Sequence, residues 1–304
     1  MATLVTGSNG LIGRALTTRL LRAGRAIVVS DQVPISQSGC PAVVQQLPGA
    51  HRWHEVIVRH GITDVVHAGG ISGPMQAADQ PAHITDVNLL GLVELLEAAR
   101  IHGLRRVVWF SSIMACGKHP ADAVLADDVP LRPDTVYGAT KAAGEAMLRA
   151  YRAEHGVDAV ALRVAGCYGP GRTTSCLIRT LLEDGLQGRE TLVKESEGRT
   201  RQHVFVEDVV EATVAALDVG ELRQPVYNIG PGRAQDLRKI VAAARRAVPS
   251  VSARLDEDGF AWNTFPVGPL SIDAARRDLG FEPRTGLAEG AAATLDWLKV
   301  RRGA

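Results

Sequence analysis

Three glycines, Gly7, Gly10 and Gly13, break the apolar run that opens the chain, Ala2 to Val5, and an amphipathic stretch with Leu11, Ala15, Leu16 and Leu20 follows at once. Strand, glycine turn and helix at this spacing make a phosphate-binding βα unit. Gly7 permits the tight turn, Gly10 lets the backbone approach a pyrophosphate, and Gly13 lets the helix pack closely on the strand. The helix start then presents free N–H groups and a positive dipole end to the anion, with Asn9, Leu11 and Ile12 in the same loop. Glycine-rich turns are common, so the strand before and the helix after carry the meaning.

A second apolar strand, Ala26 to Asp31, ends on an acid. In a dinucleotide-binding fold such an acid accepts hydrogen bonds from the adenosine ribose, and its charge repels the extra phosphate of NADP. No arginine follows Asp31 immediately, which points to NAD. A loop over Val33 to Ala42 leads to a short third strand at Ala42 to Gln46 and a short helix from Trp53 to His60. Thr63 to Ala68 reads as the fourth strand, with His67 as a packed histidine. Gly69 and Gly70 follow it and admit a ligand to the strand's C-terminal end, with Ser72 in the same loop. Asp86 to Arg100 is an apolar-rich helix containing Asn88 and stopped by Gly103. Arg106 to Phe110 is the fifth strand, and Ser111 and Ser112 end it. The alternation predicts right-handed crossovers and an α/β fold, a Rossmann-type doubly wound parallel sheet.

A polar loop, His119 to Pro133, precedes a helix from Tyr137 to about His155. Tyr137 and Lys141, four residues apart, share one helical face. An ammonium beside a phenol lowers its pKa and suits tyrosine to acid–base work. Ser112 would meet both at the mouth of the sheet.

Composition narrows the partners. At 304 residues the chain holds one large or two modest domains, and a net charge of +1 gives no global attraction to nucleic acid or an anionic membrane. Its apolar runs are too short to span a bilayer. Cys40, Cys116, Cys167 and Cys176 lack the paired spacing of zinc or redox motifs, so reduced thiols and no metal are expected. With no charged leader before the glycine turn, a cytoplasmic protein is expected.

The motifs together are similar to those of the extended short-chain dehydrogenase/reductase superfamily, in particular its NAD-dependent epimerase/dehydratase family. The resemblance rests on Thr6-Gly-Ser-Asn-Gly-Leu-Ile-Gly13, Asp31, His67-Ala68, Asn88, Ser111-Ser112 and Tyr137 with Lys141. Further on it rests on Leu162-Arg163, Tyr168-Gly-Pro-Gly171, Arg201, Val206-Glu-Asp208, Tyr227-Asn-Ile-Gly230 and the helix from Asp273 to Gly280. It implies NAD as cofactor, Tyr137 as acid/base, Ser112 on the reacting oxygen, and Lys141 on the nicotinamide ribose. It implies an NAD-binding domain over 1–165, with 203–230 returning to it, and a smaller, mainly substrate-binding domain over 166–304. It also implies a homodimer through the helices starting near Asn88 and Tyr137. Ser72, Ser112, Ile113, Tyr137, Gly166, Arg172 and Arg201 are the expected substrate contacts.

The pattern departs from the family in four places. Leu47-Pro48 stand where many members place an acid that meets adenine, and Cys116 replaces a tyrosine. Gly166 stands where nucleotide-sugar enzymes carry an asparagine. Arg201 matches an arginine that grips a diphosphate, but its usual second arginine has no counterpart among Trp262 to Leu270. Some stretches, His67 to Ser72 among them, resemble uronate dehydrogenases, although those enzymes carry a serine at Gly166. Arg172, reaching from the Tyr168–Gly171 loop, is the candidate second ligand beside Arg201. One arginine suits a single carboxylate, so an NAD-dependent dehydrogenase of a sugar acid or similar polyol is the first expectation. A nucleotide-sugar 4-epimerase or dehydratase with tightly bound NAD is the alternative. A non-catalytic NAD sensor is the third reading, and the presence of Ser112, Tyr137 and Lys141 argues against it.

Overall fold

The computed structural model describes residues 2–35, 39–120, 122–194, 201–259 and 267–302. Strands β1 (Ala2–Thr6), β2 (Ile27–Asp31), β3 (Ala42–Val44), β4 (Ile62–His67), β5 (Arg106–Ser112) and β6 (Ala159–Val164) belong to one parallel sheet. Helices α1 (Leu11–Arg22) and α2 (Ala50–His60) connect the first four strands. Between β4 and β5 run α3 (Pro81–Thr85), a π-helical turn (Asp86–Leu90) and α4 (Gly91–His102). The helix expected from Asp86 therefore starts a turn earlier, after a proline at its first position, and carries Asn88 in the π turn. Helix α5 (Val136–His155) joins β5 to β6.

Beyond these lie β7 (Gly166–Tyr168), α6 (Leu177–Leu186), β8 (Glu190–Lys194), β9 (His203–Phe205), α7 (Val206–Asp218) and β10 (Val226–Ile229). Helix α8 (Leu237–Ala247), β11 (Ser252–Asp256), α9 (Asp273–Leu279) and α10 (Leu287–Arg302) complete the described chain.

The sheet order β10-β6-β5-β4-β1-β2-β3 reverses direction between β1 and β4. At such a switch point the loops leave the strand ends on opposite sides and open a crevice, so the expected doubly wound sheet is present. Strands β4, β5 and β6 are apolar on both faces because helices cover both, and Val65, Val66, Val107, Val108, Val160 and Ala161 have no exposed surface.

The segment returning after residue 203 divides between two places. Its strand β9 pairs with β7 in a small separate sheet, whereas α7 and β10 pack on the main one. A separate apolar cluster gathers Tyr168, Leu177, Leu181, Ile240, Ala244 and Leu295 from the later elements. The segment 166–172 crosses from the main sheet to that cluster, over the crevice. Among the described residues no helix is long and apolar enough to cross a membrane.

Candidate active site

The glycine turn after β1 is built for close approach. Gly7 adopts φ +62°, and a Cβ there would lie 2.5 Å from the Ala68 carbonyl oxygen. A Cβ at Gly13 would overlap the Gly7 carbonyl oxygen, so α1 could not start where it does with any side chain at either position. The turn is tied to β2 by the Asn9 amide, which donates to Asp31 Oδ2 at 2.9 Å. A cleft runs past Gly7, Asn9, Gly10, Leu11, Ile12, Gly13 and Asp31 to Ala68, Gly69 and Ser72. This cradle, free of side chains at its base and ending on a carboxylate at β2, fits a dinucleotide.

Continuous with the cleft is a cavity at the C-terminal ends of β4, β5 and β6. Tyr137 enters it from the first turn of α5, which Thr135 caps by accepting from the Gly138 amide at 3.0 Å. Burial raises the Tyr137 pKa; a hydrogen bond with Ser112, the charge of Arg172 and a backbone bond at Gly73 act against that rise. Lys141, one turn along, is buried and donates to the Phe110 carbonyl at 2.9 Å. Its ammonium stands 4.7 Å from the Trp109 ring centre and 5.9 Å from that of Tyr137. Burial lowers its pKa to about 8. Lys141 is thus turned to the Phe110 carbonyl and the Trp109 face with its ammonium still near the phenol ring, and Arg172 is a further cation acting against the rise in the Tyr137 pKa.

Ser72, Ser112, Ile113, Tyr137, Gly166, Arg172 and Arg201, chosen as substrate contacts, all line this one cavity. Two of the expected cofactor contacts also brace the fold. Asn88 accepts from the Ile71 amide at 2.8 Å and donates to the Ile71 carbonyl at 3.0 Å, so its side chain pins the loop after β4. Ser111 borders the cavity, but its hydroxyl donates to Glu145 at 2.6 Å. Each is also held by a residue remote in sequence.

Gly166 contributes no side chain, since the Gln202 carbonyl lies 2.9 Å from where its Cβ would stand. Cys116, expected to alter the sugar pocket, is buried away from the cavity, and burial raises its thiol to about 11. Asp208 holds the stretch leading into α10, accepting from the Arg284 and Thr285 amides at 2.9 and 3.2 Å. Of the stretch searched for a second arginine, Trp262 to Pro266 lie outside the described residues; Arg172, from another segment, joins Arg201 in the cavity instead.

His203 also lines the cavity and was not singled out from the sequence. Burial, with Arg201 and Arg172 nearby, lowers its pKa to about 3. His67 lines it too, bonded through Nδ1 to the Thr6 hydroxyl at 2.7 Å. The one signal for His203 was its place two residues after Arg201, too general to separate a pocket wall from a packed strand.

A parallel sheet with a glycine cradle at its switch point and Ser, Tyr and Lys near the strand ends defines a dinucleotide-binding enzyme scaffold. Residues 3–230 match the model of the NAD dependent epimerase/dehydratase family, and the chain belongs to that family, with NAD as its cofactor. It is 31% identical to a UDP-glucose 4-epimerase of Mycolicibacterium smegmatis, over 98% of this chain and 99% of that one. The solved structure of MoeE5 in complex with UDP-glucuronic acid and NAD superposes with a TM-score of 0.87 at 27% identity, covering 100% of both chains. A GalE-like L-threonine dehydrogenase from Cupriavidus necator superposes with a TM-score of 0.84 at 28% identity, over 98% of this chain and 100% of that one.

Proposed function

We propose that this chain is a nucleotide-sugar 4-epimerase working with bound NAD. The observation that carries the reading is the pair Arg172 and Arg201 in the cavity of Ser112, Tyr137 and Lys141, where no described lining residue is a carboxylate. Two guanidiniums suit a diphosphate, which needs charge-assisted donors on more than one side. The 4-epimerase similar over nearly its whole length adds support. From sequence Arg172 is only the candidate second ligand; its place in the same cavity as Arg201 reverses the ranking expected there.

In this reading Gly7, Asn9, Gly10, Leu11, Ile12 and Gly13 hold the pyrophosphate, and Asp31 accepts from the adenosine ribose. Ala68 and Gly69 form the wall towards the nicotinamide, and Lys141 donates to its ribose. NAD, when bound, supplies the oxidant for a secondary alcohol and the reductant for the ketone. Tyr137 takes the alcohol proton and returns it, while Ser112 holds the same oxygen by a hydrogen bond. Arg201 and Arg172 anchor the diphosphate while the sugar presents either face to Tyr137. Elimination of water would need a further acid–base group beside the sugar, and the absence of a carboxylate from the described lining favours epimerisation over dehydration. The assembly proposed with it is a homodimer through α4 and α5, supported by exposed Leu90, Ile101 and Val136. Sedimentation at micromolar concentration giving a monomer with full activity would reject that assembly.

The second reading is a dehydrogenase of a sugar acid, favoured by the likeness to a threonine dehydrogenase. Incubation with UDP-glucose and with free uronic acids, followed by NADH absorbance and product analysis, separates the two. The epimerase reading expects the 4-epimer without net NADH. Stoichiometric NADH from a uronic acid, with UDP-glucose unchanged, replaces it with the second.

A further inference from the structure

Gln45 follows β3 at the end of the cofactor cleft that holds Asp31, and its backbone N–H donates to the Asp31 carbonyl at 2.8 Å. The residue is only 5% exposed, yet its side-chain Nε2 and Oε1 are both buried without a hydrogen-bond partner. No other described side chain has two atoms in that state. Nε2 stands 3.8 Å from where a Cβ on Gly49 would lie, which sets the amide against the start of α2. One turn along that helix Trp53 lines the same cleft, and its indole Nε1 is also buried and unpartnered. Buried polar groups are costly to leave unpaired, so three such atoms at one end of a cleft mark a place built to hold something polar.

The position gives the chemistry of that partner. The cleft runs from Ser72, beside the catalytic cavity, to Asp31 and on to Gln45. Asp31 is the acid that meets the adenosine ribose, and β3 lies beyond it, with Asp31 and Val44 opposite each other in the strand pair. The base carried by that ribose is the part of NAD that reaches the end of β3. A primary amide offers a donor and an acceptor side by side, which matches the 6-amino group of adenine and the ring nitrogen beside it. Leu47 and Pro48 carry no polar side-chain atom, and Gln32 and Gln46 are exposed, where water satisfies their amides.

We propose that Gln45 holds the adenine of NAD: Nε2 donates to a ring nitrogen of the base, and Oε1 accepts from its 6-amino group. The proposal rests on NAD lying with its adenosine at Asp31, and is independent of the sugar that the cavity takes. An amide unpaired in the free protein and paired in the complex favours binding on both counts. Hydrogen bonds are gained, and a cost carried by the free chain is removed.

The test is a competition titration of NAD against the dinucleotide that carries unsubstituted purine in place of adenine, and so lacks only the 6-amino group. The unmodified protein should prefer NAD by about tenfold, because purine leaves Oε1 unpaired. Gln45→Leu should bind NAD about tenfold more weakly and treat the two dinucleotides alike. Gln46→Leu, at a solvated amide, should keep the preference. Without dinucleotide, Gln45→Leu should melt no lower than the parent, and the rise in Tm on adding NAD should shrink. Equal affinity of the unmodified protein for the two dinucleotides overturns the proposal, and that measurement needs no variant to fold. A Gln45→Leu protein with the full preference overturns it too, and leaves buried water as the partner of the amide. Binding of NADP as tight as that of NAD by the unmodified protein would instead reject the adenosine at Asp31, so the two failures are told apart.

Discussion

Arg163 and Glu145 form a bidentate ion pair with no more than 1% of either side chain exposed, Nε to Oε1 at 2.9 Å and Nη2 to Oε2 at 2.7 Å. The pair joins β6 to the helix that carries Tyr137 and Lys141. Ser111 donates to the same carboxylate, and Arg163 Nη1 continues the chain to Asn228 Oδ1 on β10 at 3.0 Å. Three strands and the site-bearing helix are thus locked by one buried network, one helical turn beyond Lys141.

Removing half of that pair should be costly. Glu145→Leu strands a guanidinium in the interior, and the expected loss is about 3–5 kcal/mol. Replacing both partners, Glu145→Leu with Arg163→Met, should cost less than the single change, because no charge is left unpaired. Urea unfolding measures both. A double variant as unstable as the sum of the singles would show that the two residues act independently.

Tyr137→Phe keeps the ring and removes the proton-carrying oxygen. Turnover should fall by on the order of 10²–10⁴-fold. NAD affinity, read by fluorescence titration, should stay within about threefold, under ~0.7 kcal/mol. A variant with more than about a tenth of normal turnover would move the acid–base role to another residue.

Lys141 is a buried cation whose pKa is lowered from 10.5 to about 8. Below about pH 8 both the folded and the unfolded chain carry its proton, and the burial cost is present in full. Between about pH 8 and 10.5 the unfolded chain binds more protons, so this group's contribution to stability rises with pH. NAD-free Lys141→Met should therefore be more stable than the parent at pH 7, by up to about 3 kcal/mol, with the difference closing as pH passes through that window. The same variant should bind NAD more weakly, since a ribose donor is lost. A stability difference independent of pH would place the cost of Lys141 elsewhere.

Asp31 ends β2 with its carboxylate on the Asn9 amide, at the cofactor cleft. The parent should prefer NAD to NADP, because the added phosphate would face this charge. Asp31→Ala should narrow the preference by about tenfold, ~1.4 kcal/mol. Competition binding of the two dinucleotides provides the check, and equal affinity in the parent would dispose of the argument.

The dinucleotide cradle was legible because its elements are local. A tight turn, a close helix start and a strand-end acid each depend on residues a few positions apart, and glycine spacing and apolar runs record them directly. The alternation of strands and helices set the parallel sheet for the same reason, and Tyr137 with Lys141 followed from helical periodicity alone. The tertiary structure decided what depends on residues far apart in the chain. Asn88 and Ser111 read from sequence only as cofactor contacts, and the fold also makes them braces, because the backbone of Ile71 and the carboxylate of Glu145 reach them across 17 and 34 residues. Arg172 looked secondary to Arg201 until the turn after β7 carried it to the seam of both clefts. Sequence spacing places a side chain on a face of its own element. Which partner satisfies it, and whose field it feels, are determined only when register and crossovers bring distant segments into one buried volume, where an unpaired polar group is too costly to leave.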